Sequence, residues 1–445
     1  MAACVDVIIV GAGNRGSIYA HFAVAFPERM RVVGVADPNP FSRERLREQH
    51  RIEEHNAFTG VTQLPDVSLA DAVLICTPDR LHKEPAVVFA QKGYHILLEK
   101  PMAVTAEDCI EIMSVCSESQ VMLAVCHVLR YLPAVQKIKE LIDSGAIGDV
   151  IHIQHLEPVG FYHFAHSFVR GNWRSEAGSS FSLLAKSCHD IDLINYWAGG
   201  RRCLKVSSFG SLSHFTKDNQ PQGASDRCLS CSVEAGCPYS AKKIYLDRVT
   251  QGEVGWPVSV LCSSSLPDIE SVTEALCSGP YGRCVYDCDN DVCTNQVVNM
   301  QFEVGLTASF SMVAFTEQMC QRKTTISGSK VTNSSRALQA GDLPTLSGKS
   351  TLGRGGRLSP PKVTHHVDPS PPGASGLGGH GGGDYHLMDR FISAVASCDP
   401  ALILSGPEET LQSHLLVFQA ERARREGVVL SGGGEEGRDT VNNNP

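Results

Sequence analysis

The chain has 445 residues, 42% hydrophobic and 20% charged, with a formal net charge of −9. A length of this order predicts two domains with cores that need no disulfide or metal staples. The acidic balance gives no reason to expect nucleic acid or an anionic membrane as partner, and no apolar run approaches the roughly 18 residues of a membrane helix.

The first residues, Met1–Val10, carry Asp6 and no basic side chain, so they do not read as a signal peptide and a cytoplasmic location is expected. From there to about residue 125, short apolar runs alternate with helix-compatible segments. Val5–Val10 is stopped by Gly11, Val32–Ala36 by Asp37-Pro38, and Ala72–Cys76 by Thr77-Pro78. Tyr94–Leu98 closes on Glu99-Lys100-Pro101, and Val121–Val125 follows. Between them lie Arg15–Phe26, Phe41–His50, His82–Gln91 and Ala106–Ser117. This rhythm predicts a doubly wound α/β sheet of parallel strands buried on both faces.

After residue 126 the pattern changes. Leu132–Ser144 reads as a helix, Val150–Leu156 as a strand, and Ser182–Trp197 as one helix ending at Gly199-Gly200. Leu204–Phe215 and Gln296–Phe315 look like long alternating strands, the second folded back at Glu303-Val304-Gly305. They predict an α+β second domain with a large open, mostly antiparallel sheet. Residues 331–383 are rich in Gly, Ser and Pro and are expected to form a low-complexity loop. Helical patterns resume at Asp384–Ser397 and Glu408–Glu426, and 431–445 is expected to be a disordered tail. The division expected is thus a dinucleotide domain over 1–125 and a substrate and oligomerisation domain over 126–430.

Gly11-Ala12-Gly13-Asn14-Arg15-Gly16 follows the first strand and opens the first helix, and Asp37 lies 21 residues after Gly16. In that context the glycines permit the tight turn, the approach to a pyrophosphate and close helix–strand contact. The helix N-terminus offers its free N–H groups and dipole to phosphate. The Asp37 carboxylate can accept from ribose hydroxyls, which favours NAD. Arg15 and Arg43 nearby leave NADP open. Thr77, Pro78 and His82 lie beyond the carboxyl end of a strand, where ligands bind in such sheets.

Adding Glu99-Lys100-Pro101, Gly171-Asn172-Trp173-Arg174 and Lys186-Ser187-Cys188-His189-Asp190-Ile191-Asp192, the chain resembles the Gfo/Idh/MocA family. Members of that family resemble glucose–fructose oxidoreductase and inositol 2-dehydrogenase. The closing segment Gly381-Gly382-Gly383-Asp384-Tyr385 is similar to the family's too. The resemblance implies a Rossmann domain followed by an α/β domain whose open sheet serves as a subunit interface in a homodimer or homotetramer. It implies NAD(P)-dependent oxidation or reduction of a secondary alcohol on a sugar, polyol or inositol-like substrate. Lys100 would lie beside the nicotinamide and substrate, Glu99 would border the cofactor, and His189 would be the acid/base group.

The chemistry of the residues fits those roles. Removing hydride from an alcohol carbon requires a group within about 3 Å of the oxygen to take its proton, and imidazole is suited to that near neutral pH. A lysine ammonium can stabilise the developing alkoxide. Many members carry an aspartate four residues before the histidine, and here that position is Ala185. Lys186, one helical turn before His189, is read as a substitute polar group or as a solvated lysine. Arg130, Tyr131, Trp173, Arg174 and Asp192 are candidate substrate contacts, with packing at a domain interface as the alternative.

Cysteine is the unusual component: 17 in all, ten of them between Cys203 and Cys320. Cys228-x2-Cys231-x5-Cys237 has metal-like spacing, and Cys284, Cys288, Cys293 or His214 could complete a structural zinc site. Free thiols in an insertion over 215–295 are the leading alternative, disulfides a further one. No metal is assigned to the reaction itself. Besides the dehydrogenase, two functions stay open: a glycosidase-like enzyme that oxidises transiently and eliminates, and a non-catalytic dinucleotide sensor.

Overall fold

The computed structural model describes residues 4–65, 68–262, 266–330, 332–338, 345–349, 377 and 379–431. The first sheet contains β1 (Val5–Val10), β2 (Met30–Ala36), β3 (Ala57–Phe58), β4 (Ala72–Ile75), β5 (His95–Leu98) and β6 (Leu123–Val125). Their order is β3-β2-β1-β4-β5-β6 and every pairing is parallel. Ile8, Ile9, Val73, Leu74, Ile96 and Leu98 are wholly buried, because helices cover both faces and an apolar residue is needed at every position. Helices Asn14–Ala25, Pro40–His50, Lys83–Gln91 and Ala106–Glu118 make the crossovers. Asn39 and Thr105 start two of them by accepting from first-turn amides. Strand order reverses between β1 and β4, which opens a crevice at their carboxyl ends.

The second sheet contains β7 (Val150–Pro158), β8 (Cys203–Ser211), β9 (Asn295–Phe302), β10 (Thr307–Val313), β11 (Arg322–Gly328), β12 (Thr332–Leu338), β13 (Thr345–Lys349) and β14 (Leu430–Ser431). The order is β13-β12-β11-β7-β10-β9-β8-β14, antiparallel except for β7 beside β10. Along β9 burial alternates strictly, so one face is covered and the other open. Helices Cys188–Ala198 and Pro407–Glu426 pack on the covered face. The second of these also reaches the first sheet, where Leu411 joins the core beneath β4 and β5. The C-terminal helix therefore belongs to both halves of the molecule. The cysteine-rich stretch has its own small core, which includes Ala241, Ile244, Tyr245, Val258, Val272 and Leu276.

Three sequence expectations change. The helix over 182–197 is two: Ser182–Ala185 and Cys188–Ala198, broken at Lys186 and Ser187, where Ser187 leaves the helical region with ψ of 11°. The loop expected over 331–383 includes two strands, β12 and β13, which extend β11 antiparallel. Backbone pairing at a sheet edge does not require apolar side chains, so polarity there misled. Most of that loop and the tail after Ser431 lie outside the described residues.

The third change concerns the setting of Arg130, Tyr131 and Asp192, candidate substrate contacts that lie buried and hydrogen-bonded within the chain. Arg130 donates through Nε and Nη2 to Asp192 at 2.6 and 2.8 Å, and through Nη1 to the Leu404 carbonyl at 2.7 Å. The Ser413 hydroxyl donates to the same carboxylate at 2.9 Å. The Tyr131 hydroxyl accepts from the Leu404 and Ser405 amides at 3.1 and 3.2 Å. Arg130 and Asp192 are both about 1% exposed, so their charges are spent on each other. They join the end of the first sheet, the histidine helix and the C-terminal segment. Asp192→Ala strands a buried guanidinium and should cost about 3–5 kcal/mol, read as a lower urea midpoint at unchanged m-value.

Candidate active site

The fingerprint loop is shaped for a dinucleotide. Gly11 has φ of +95°, and a Cβ there would lie 2.6 Å from the Cys76 carbonyl oxygen. At Gly16 a Cβ would lie 2.0 Å from the Gly11 oxygen, whereas at Gly13 it would meet nothing within 4 Å. The loop is thus closed toward the protein and open outward at Gly13, the side a pyrophosphate needs. Asn14 begins the helix, whose first amides have no intrahelical partner. Asp37 ends β2, and its carboxylate accepts from the Ala12 and Asn39 amides at 2.6 and 2.7 Å. These residues fit NAD, with Asp37 beside the loop for the ribose. Arg43 donates to the Asp37 carbonyl at 2.6 Å instead of facing outward.

Arg15, Glu99 and His82 are braces, not free cofactor ligands. Glu99 Oε1 accepts from Arg15 Nε at 2.6 Å and from the Tyr19 hydroxyl at 2.8 Å; Oε2 accepts from the Lys100 amide at 2.9 Å. Burial pushes the Glu99 carboxyl up, but the Arg15 and Lys100 charges outweigh it and hold it below its usual value. Arg15 also pairs with Asp384 at 2.7 Å and lies over the Tyr19 ring at 4.6 Å. Both ring nitrogens of His82 are taken by the carbonyls of Pro101 and Thr77, at 2.7 and 2.8 Å. Thr77 donates its hydroxyl to the Leu81 carbonyl, and Pro78 leads into that turn. The turn is thereby fastened to Lys100-Pro101.

Lys100 and His189 meet at the junction of the sheets. Lys100 Nζ donates to the Ala185 carbonyl at 2.7 Å, so a backbone oxygen occupies the place of the family's aspartate as its partner. His189 is 5% exposed, and its Nδ1 is buried without a hydrogen-bond partner. Burial first, then the Lys100 charge, hold its pKa well below the ordinary value, so the ring is neutral at pH 7 and able to accept a proton.

Lys186 does not face His189 from one turn away, because the helix breaks between them. Its Nζ lies 3.1 Å from Glu157 and 3.0 Å from Cys320 Sγ. Glu157 also lies 3.3 Å from Arg322, which donates to Asp190 at 2.6 Å. Trp173 donates to Asp79 at 3.2 Å, and Arg174 pairs with Asp289 at 3.1 Å. These contacts tie residues 173 and 174 to the first half of the chain and to the cysteine-rich lobe.

Four histidines were missed by sequence reasoning. His127 lies 5.5 Å from His189 and 5.4 Å from His414, ring centre to ring centre, and His380 lies 6.3 Å from His189. His380 Nδ1 is 3.3 Å from the Asp384 carboxylate. His163 Nδ1 is 3.4 Å from Cys320 Sγ. His127 directly follows β6, and its position beyond a strand's carboxyl end was the available signal. The others come from segments with no sequence link to the first domain.

All 17 cysteines are unpaired, and no three His, Cys, Asp or Glu side chains among the described residues are arranged to hold a metal ion. Cys228, Cys231, Cys237 and Cys284 line one cavity of about 290 Å³ with Arg170 and Tyr286.

The buried histidines make stability depend on pH. Burial lowers His127 from 6.5 to about 3, against the opposing pull of Asp192. A histidine lowered in the folded state is protonated first in the unfolded state, so its stabilisation is full above pH 6.5 and is lost toward pH 3. His127→Asn should flatten the dependence of unfolding free energy on pH in this window by about 1.4 kcal/mol per pH unit, measured by urea titration at successive pH values.

The comparisons agree with this geometry. Residues 5–127 match the model of the oxidoreductase family NAD-binding Rossmann fold, and residues 135–229 match the GFO/IDH/MocA C-terminal domain. The oxidoreductase YteT of Bacillus subtilis (strain 168) is 26% identical over 388 residues, 84% of each chain. The 2,7-anhydro-N-acetylneuraminate hydratase of Escherichia coli (strain K12) is 27% identical over 46% of this chain and 53% of its own. Levoglucosan dehydrogenase, solved with NADH, superposes with a TM-score of 0.67 at 18% identity, covering 96% of this chain and 99% of that one. The two matched stretches are thus similar to the N-terminal and C-terminal domains of the Gfo/Idh/MocA oxidoreductase family, and the first domain is an NAD-binding Rossmann domain.

Proposed function

We propose that this protein transfers a hydride between NAD and a secondary alcohol of a sugar, polyol or inositol-like substrate. The observation that carries this reading is a neutral, nearly buried His189 next to the Lys100 ammonium, at the junction with the NAD-binding domain. When bound, the nicotinamide supplies the hydride chemistry. Lys100 holds the substrate oxygen and stabilises negative charge on it as its proton leaves. His189 takes that proton. Its lowered pKa keeps it deprotonated before the reaction, and the low exposure of the site keeps water from competing. The Arg15–Glu99 pair, tied to the Lys100 amide through Glu99, holds Lys100 at the end of β5.

A second reading has one observation in its favour. His380, oriented by Asp384, gives the site a second imidazole 6.3 Å from His189. An oxidation followed by elimination or hydration needs a second proton-transfer group, and a hydratase is among the relatives. We also propose a homodimer or homotetramer built on the open sheet face. Phe209 and Val297 are opposite each other on β8 and β9 and exposed at 65% and 39%. Sedimentation equilibrium should give an assembly that Phe209→Lys disperses.

A screen of sugars, inositols and their acids with NAD and NADP, read by absorbance of the reduced nicotinamide, tests the main reading. Lys100→Ala and His189→Ala should each lower turnover by about a hundredfold or more while NADH binding persists. Turnover unchanged in both variants sinks the proposal. Silence with free polyols but turnover of glycosides or anhydro sugars transfers it to the second reading.

A further inference from the structure

We propose that Trp256, carried by the cysteine-rich lobe, is a substrate-stacking residue that takes the apolar face of a pyranose ring. This deepens the oxidoreductase reading and rests on it.

Of the chain's tryptophans, Trp197 is wholly buried and Trp173 spends its N–H on Asp79. Trp256 is 37% exposed. It is nevertheless firmly seated. Its ring centre lies 5.0 Å from that of His163 and 5.2 Å from that of His166, at interplanar angles of 77° and 85°. Tyr162 flanks it at 6.4 Å. His166 is fixed in turn by stacking on Tyr281 at 4.9 Å and by a 2.9 Å hydrogen bond with the Tyr245 hydroxyl. An indole held edge-on by two imidazoles, with part of its surface in solvent, is a preorganised flat surface.

Its place links it to the reacting centre. His163, the nearest ring, lies 3.4 Å from Cys320, which accepts from Lys186 at 3.0 Å. Lys186 immediately precedes the break before the His189 helix. Among the charges that bear on His163 are those of Lys186 and His380, and His380 is the neighbour of His189. Through His163, Cys320 and Lys186 the lobe is thus connected to the segment that carries His189.

The chemistry of the indole and its neighbours selects a shape. A pyranose presents a rigid face of C–H groups and a rim of hydroxyls, which suits an aromatic surface edged by imidazole and lysine. An open-chain polyol has no such face and loses rotational freedom on binding.

The test uses the full chain loaded with NADH and follows tryptophan emission during titration with methyl pyranosides and pyranose uronic acids, with open-chain sorbitol as the contrast. A pyranose should change the emission of the wild type and leave that of Trp256→Phe unchanged. Trp256→Ala should weaken pyranose binding and raise KM about tenfold with kcat nearly constant, the size expected for one aromatic contact, while Trp256→Phe retains most of the affinity. Melting temperatures of both variants should match the wild type. Equal binding of sorbitol, an emission change that survives in Trp256→Phe, or no change with any pyranose overturns the platform. NADH binding and the Lys100→Ala loss of turnover are measured on the same preparations. Their failure overturns the oxidoreductase reading, whereas their persistence with an indifferent Trp256→Ala overturns the platform alone.

Discussion

The buried ion pair of Arg130 with Asp192 is the constraint on which the arrangement of this protein depends. Two charges out of water are tolerable only with near-complete hydrogen bonding, and here the guanidinium and carboxylate meet in two parallel bonds. The remaining capacity goes to Leu404 and Ser413. Each partner comes from a different part of the chain: the end of the first sheet, the helix Cys188–Ala198, and the C-terminal segment. Satisfying this one pair fixes the histidine helix against the NAD-binding domain.

A second network of the same kind joins the fingerprint loop to the chain's closing segment. Arg15 is shared by Glu99 and Asp384, so the residue after the loop, the end of β5 and the start of the helix Gly383–Ser397 are tied at one guanidinium. Gly379 is required there because a Cβ would lie 2.1 Å from the Asp384 carboxylate. Around these pairs three imidazoles are held neutral. His127, His414 and His189 are all held below their ordinary values, chiefly by burial. The site is thus built from paired permanent charges and neutral bases, with Lys100 bonded to a carbonyl oxygen rather than to a carboxylate.

Much of the first domain was legible in the sequence. Each strand there is a run of Val, Ile and Leu, and burial on both faces leaves no other pattern possible. Gly11, Gly13 and Gly16 were equally readable, because only glycine meets the 2.0 and 2.6 Å approaches found at two of them. The break at Lys186 and Ser187 was not readable. Helical periodicity continues through both residues, and what draws Lys186 aside is a carboxylate from β7 and a thiol from Cys320. The charged candidates Arg130 and Asp192 were visible in the sequence, and the structure pairs them with each other. Sequence shows that a charge is present, and only its partner shows whether it is free.

The sequence by itself determined the strand–helix rhythm, the dinucleotide cradle and the open second sheet. Those follow from local constraints: periodicity of burial, glycine where a Cβ cannot fit, and residue types at strand ends. The tertiary structure decided which charges cancel, which histidines surround His189, and which tryptophan remains exposed beside them. Trp173 and Trp256 differ little as sequence signals, yet one is bonded to Asp79 and the other stands open at 37% exposure. That difference is set by contacts between segments far apart in the chain, and no local pattern encodes them.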